Sequence, residues 1–99
     1  MIFPNETRAG MRAQTSCFVQ EGDLPLTIAW LKDGKPLPSQ GQDGVRISTL
    51  DSFTSMLVIE RTKESHTANY SCVATNAAKT AKVTAPLFVS GKLFYLQSF

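Results

Sequence analysis

Four residues constrain this chain more than any others. Trp30 follows Cys17 by thirteen positions, and Tyr70 stands two positions before Cys72, the second and last cysteine. Two cysteines 55 positions apart suit one long-range disulfide. In the chain-entropy account, closing such a loop stabilises a fold by about 4 kcal/mol. A disulfide also implies an oxidising compartment. The alternative is a pair of reduced, buried cysteines in a cytosolic protein.

Around these residues the chain reads as short strands punctuated by turns, and no long window shows the 3.6-residue period of a helix. Residues 13–20 alternate, with Thr15, Cys17 and Val19 on one face. Residues 26–32 put Leu26, Ile28 and Trp30 on one side. Asp33-Gly34 is then a turn signal. Pro36-Leu37-Pro38 allows only a short edge segment. Residues 45–50 and 53–60 are strands with Val45, Ile47, Leu57 and Ile59 inward. Residues 61–67 form a polar connection, 69–75 a strand with Tyr70, Cys72 and Ala74 inward, and 79–90 the last strand. Pro4 marks a break in an initial edge strand.

Roughly seven short strands at regular spacing imply a sandwich or a barrel. The four marker residues decide between them. In an immunoglobulin sandwich a disulfide joins the second and sixth strands, a tryptophan of the third packs on it, and a tyrosine closes the corner before the sixth. Cys17, Trp30, Tyr70 and Cys72 occur in that order. The predicted fold is therefore all-β: an immunoglobulin-like two-sheet sandwich over residues 1–90 with one inter-sheet disulfide. Too little chain separates the third and fourth strands for the extra pair of a variable domain, which points to the intermediate set. Residues 91–99 are aromatic-rich and are expected to be a linker, a tag or the start of a neighbouring domain. If the chain is extracellular, it is expected to be a piece of a longer protein whose Met1 is an added start.

Several function classes are excluded by composition and motif. The length of 99 residues suits one domain, and 42% hydrophobic with 18% charged residues is the balance of an ordinary globule. No stretch approaches the ~18 apolar residues of a membrane helix. The net charge is +2 and the ten basic residues are scattered, so no nucleic-acid partner is expected. The one histidine, His66, lies in a polar connection, with Glu64 and Ser65 adjacent in sequence, where a triad rarely assembles. No phosphate loop, calcium loop or zinc ligand set is present, so we expect no enzyme, no metal and no cofactor. Asn5-Glu6-Thr7 and Asn69-Tyr70-Ser71 fit the N-glycan acceptor pattern, in keeping with a secreted chain.

The stretches Gly22-Asp23-Leu24-Pro25-Leu26-Thr27-Ile28-Ala29-Trp30, Phe53-Thr54-Ser55-Met56-Leu57-Val58-Ile59 and His66-Thr67-Ala68-Asn69-Tyr70-Ser71-Cys72 resemble an immunoglobulin domain of the Down syndrome cell adhesion molecule (Dscam) family. The resemblance covers residues 3–90. It is similar to the variable seventh immunoglobulin domain of arthropod members and to the first domain of the shortened chelicerate members, and the shortened form is favoured. Most intermediate-set domains carry an aspartate where His66 stands, so the usual ion pair of that aspartate with an arginine such as Arg46 is not expected. The resemblance implies homophilic recognition: an antiparallel, two-fold homodimer formed in trans between opposing cells. It also implies other immunoglobulin or fibronectin-type domains in the same chain and a membrane-anchored parent at the cell surface.

Strand parity gives a candidate face without the resemblance. Gln14, Ser16, Phe18 and Gln20 point away from the core, as do Thr54, Met56, Val58 and Glu60, with Arg46 and Ser48 beside them. In the lettering of this fold they share the sheet of strands A, B, E and D. Phe18, Met56 and Val58 make an apolar strip there that would gain by burial against a second copy. Arg46 is expected to sit off the two-fold axis and meet an acid such as Glu60. The opposite sheet shows Thr27, Ala29, Leu31, Ser71, Val73, Thr75, Lys82 and Thr84, and a glycan on Asn69 would lie on that side. The alternatives are a spacer or heterophilic ligand-binding domain of a cell-surface receptor, and an intracellular sarcomere-like domain with reduced cysteines.

Overall fold

Alternation decides the strands. In β2 (Ala13–Phe18) Ala13, Thr15 and Cys17 are buried while Gln14, Ser16 and Phe18 are exposed, the period of two of a sheet with one wet face. The structure is a computed structural model and describes residues 1–4 and 6–91. Expectations for Asn5 and for residues 92–99 lie outside the described residues.

Among the described residues nine strands follow in chain order: β1 (Thr7–Arg8), β2, β3 (Thr27–Lys32), β4 (Lys35–Pro36), β5 (Val45–Asp51), β6 (Thr54–Ile59), β7 (Ala68–Thr75), β8 (Thr80–Leu87) and β9 (Val89–Ser90). A single 3-10 turn, Glu64–His66, precedes β7. One sheet has the order β2-β6-β5 and the other β4-β3-β7-β8, with β1 paired to β9 in parallel. Asp33 and Gly34 take φ of 49° and 82° between β3 and β4, the positive pair of a tight hairpin turn.

The core joins the two sheets. Cys17 of β2 and Cys72 of β7 are disulfide-bonded with their Cα atoms 6.4 Å apart. Trp30 faces Cys72 across the β3–β7 ladder. It is fully buried, and its indole N–H donates to the Ser55 hydroxyl at 2.9 Å, which satisfies the one polar atom that burial would strand. Tyr70 is also fully buried. Its hydroxyl donates to the His66 carbonyl at 2.6 Å, and its ring lies 5.5 Å from that of Phe3. Burial, and then the charges of Asp33 and Asp43, push the Tyr70 phenol up to about 12.

His66 locks the turn below this corner. It is fully buried, its Nδ1 accepts the Lys63 N–H at 2.9 Å, and its Nε2 lies 2.7 Å from the Asp43 carbonyl. Since Nδ1 accepts, Nε2 carries the proton and donates. Asp43 and Gly44 both have positive φ, 54° and 81°, in the turn that carries this carbonyl to the ring. His66 thus holds the turn through two hydrogen bonds to backbone.

Two expectations of strand order are corrected. The first strand does not join the sheet of the second, fourth and fifth strands; β1 pairs with β9 instead. Residues 1–4 form no ladder with β2, and Pro4 has no N–H to offer one. The last strand is not continuous over 79–90: it breaks at Phe88 into β8, which pairs with β7, and β9, which pairs with β1.

Candidate functional site: the outer face of the β2-β6-β5 sheet

Register sorts the outer face into three rows. Gln14, Val58 and Arg46 form the first, Ser16, Met56 and Ser48 the second, and Phe18, Thr54 and Asp51 the third. Charge is confined to the two ends, while the middle row is neutral.

At the first end Arg12 donates to Glu60 at 3.2 Å and to the Gln14 side-chain oxygen at 2.7 Å, and Arg46 donates to the same Glu60 at 2.9 Å. Two guanidinium groups therefore hold one carboxylate. Arg46 was expected to meet an acid such as Glu60, and within the single chain it is bonded to Glu60 itself. Arg12 went unnoticed in the sequence, although it shares the parity of Gln14, Ser16 and Phe18.

Val58 is the one correction at this end. Its register is outward, as expected, but it is only 2% exposed. It sits in the row between Gln14 and Arg46, both of which are bonded into the Arg12–Glu60–Arg46 network. The aliphatic stems of such residues cover apolar surface while their heads stay in water.

The other end is open. Phe18 is 62% exposed, and the neighbouring Met56 and Thr54 are half-buried. Met1 and Ile2 run beside this strand and, with Gln14, Ser16, Phe18 and Met56, line a groove of about 300 Å³. Gln20 is exposed just past β2, and Ser48 is half-buried. Asp51 accepts the Phe53 N–H at 2.8 Å, and this bond, followed by that of the Thr54 hydroxyl, holds its carboxyl below the usual carboxylate range.

The opposite sheet differs in character. Ser71 is buried and shares a 2.8 Å hydrogen bond with Thr84. Leu31 and Val73 are half-buried, while Thr27, Ala29, Thr75, Lys82 and Thr84 are exposed. Asn69 is exposed at the start of β7, and its backbone N–H and C=O are both bonded to Asp33. Sequence reasoning missed two exposed apolar residues, Ile2 and Phe88, 81% and 67% exposed, which line one cleft with Pro86, the cross-strand partner of Asn69. Continuing the parity of Lys82 and Thr84 through Pro86 would have found Phe88. Among the described residues no group of acidic, histidine or cysteine side chains could hold a metal ion.

With the first strand bound to the last, and no strand between β4 and β5, the molecule is an immunoglobulin domain of the intermediate set. A family model described as an immunoglobulin domain matches residues 1–76. Over 80 residues, 81% of this chain, it is 45% identical to the cell adhesion molecule Dscam2 of Drosophila melanogaster and 44% identical to the cell adhesion molecule DSCAM of Homo sapiens. The matched region spans 4% of the length of each of these relatives. Among solved structures, isoform 5 of the Dscam1 Ig7 domain is similar with a TM-score of 0.85 and 31% identity over 90% of both chains. The chain belongs to the Dscam family of immunoglobulin domains, which is not a family of enzymes.

Proposed function

We propose that this chain is an extracellular adhesion module, part of the cell-surface ectodomain of a membrane-anchored protein, that binds a second copy of itself through the outer face of the β2-β6-β5 sheet. The observation that carries this reading is the exposed Phe18 ring beside Met56 on a face whose middle row is uncharged. A two-fold axis sets one surface against its own copy. With the axis on the Ser16–Met56–Ser48 row, neutral groups meet themselves without penalty. The antiparallel arrangement then brings the arginine end of one copy against the Phe18–Asp51 end of the other. Gln14, Gln20, Thr54 and Glu60 complete the contact, and Val58 supports it from beneath.

Burying a phenyl ring of this exposure is worth roughly 2 kcal/mol before the costs of association. In sedimentation equilibrium the chain is expected to show concentration-dependent dimers, and beads coated with it to aggregate. Phe18→Asp should abolish both while leaving the circular dichroism spectrum intact. A wild-type chain that stays monomeric and leaves beads dispersed would instead favour a spacer or a heterophilic receptor domain.

A further inference from the structure

A second apolar patch adjoins the groove beside Phe18, with which it shares Ile2, and extends from there to Pro86 and Phe88. Ile2, Pro4, Pro86 and Phe88 are exposed and, with the buried Phe3 and Ala85, line a cleft of about 320 Å³. Water-exposed clusters of this kind ordinarily have a cover.

The ladder brings one covering group to the patch. Asn69 is the direct cross-strand partner of Pro86. Directly opposed side chains stand about 5 Å apart, and the diagonal neighbour, here Phe88, remains within reach. Asn69, Pro86 and Phe88 share one outward parity, with Leu87 and Val89 buried between and beyond them. Asn69 is exposed, its side-chain amide has no hydrogen bond among the described residues, and it opens the acceptor tripeptide Asn69-Tyr70-Ser71. Ser71 is buried in the fold, but glycan transfer acts on the unfolded chain, when that hydroxyl is free.

The geometry points to an N-linked glycan on Asn69 whose first N-acetylglucosamine folds down on Pro86 and Phe88, so that the patch is covered by the chain's own sugar. The apolar C–H face of a pyranose ring suits an aromatic ring and a proline ring beside it. The contact also explains a Phe left wet just past β8, next to the outward Pro86 and in line with Thr84 and Lys82. It rests on the extracellular reading, since the acceptor is used only in the secretory pathway. It deepens that reading by assigning the β4-β3-β7-β8 side to carbohydrate.

The test uses the chain secreted from eukaryotic cells. Intact mass should show a glycan that Asn69→Gln removes; an unoccupied Asn69 overturns the inference. In NMR spectra, protons of the first sugar should show nuclear Overhauser contacts to the Phe88 ring and ring-current shifts that Phe88→Ser abolishes. A first sugar without such contacts overturns it too. Binding of an apolar fluorescent dye should stay low after an endoglycosidase trims the glycan to its first sugar, and rise in Asn69→Gln. A rise on trimming, or high binding with the full glycan, leaves the patch to another occupant and overturns it. Phe18→Asp is carried through in parallel: it is expected to keep every sugar contact, so loss of self-association there bears on the dimer face alone.

Discussion

At the residue scale the most informative position is Tyr70. Its hydroxyl donates to the His66 carbonyl, and His66 in turn holds Lys63 and Asp43 through both ring nitrogens. One phenol thus anchors the turn into β7. Tyr70→Phe leaves a buried carbonyl without its donor, which costs about 1–3 kcal/mol; urea unfolding should show the midpoint fall with the slope unchanged. The phenol also gives a pH signature. Its proton is held to about 12 in the folded chain against 10.0 when unperturbed. Between these values the unfolded chain releases the proton and the folded chain keeps it, so this group's contribution is complete below pH 10 and is lost as the pH rises towards 12. Stability measured across that window should fall in the wild type, and the part of the fall due to this group should vanish in Tyr70→Phe.

The same scale shows where sequence was informative and where it was not. Cys17, Trp30, Tyr70 and Cys72 were legible because each has a fixed place in one fold. Phe18 was legible because parity alone sends it outward. Val58 has the same parity yet is buried, because parity gives a face and says nothing of what lies over it. Val58 stands in register between Gln14 and Arg46, whose end of the face is tied together by Arg12, Glu60 and Arg46, residues far apart in sequence.

At the scale of elements, β6 runs between β2 and β5 and carries both kinds of outward residue, covered and bare. The charged cover at the Val58 end is half exposed, and exposed ion pairs are worth about 0–1 kcal/mol. The apolar residue beneath is worth more. In chemical denaturation Val58→Ala should cost about 1–2 kcal/mol and Glu60→Gln less than about 1. A larger loss from Glu60→Gln than from Val58→Ala would show that the network, and not the packing, holds this end. Elements also mark a limit of sequence reading. β1 and β9 have two residues each, too few for a period to register, so their pairing emerged only from the three-dimensional arrangement.

At the scale of the whole molecule the disulfide is the covalent constraint between the two sheets. It joins the two sheets across 55 positions, a loop whose closure is worth about 4 kcal/mol. Paired Cys17→Ala and Cys72→Ala substitutions, or reduction, should lower unfolding free energy by about that amount. Unchanged stability on reduction would assign the fold's resilience to packing alone. The distribution of surface character follows the same two-layer plan: an apolar, neutral-centred face on the three-stranded sheet and a proline- and phenylalanine-edged face with an acceptor asparagine on the other.

The parallel pairing of β1 with β9 also governs how the domain answers a pull. Chain enters at one end of this pair and leaves at the other, because both strands run the same way. Tension applied through the two termini would draw β1 and β9 past each other along their length, loading bonds such as Ala9 N–H to Ser90 C=O together in shear. A hairpin in the same position would be peeled apart one bond at a time. For a domain loaded through its termini, the order in which its outermost strands close the fold is also a mechanical clamp.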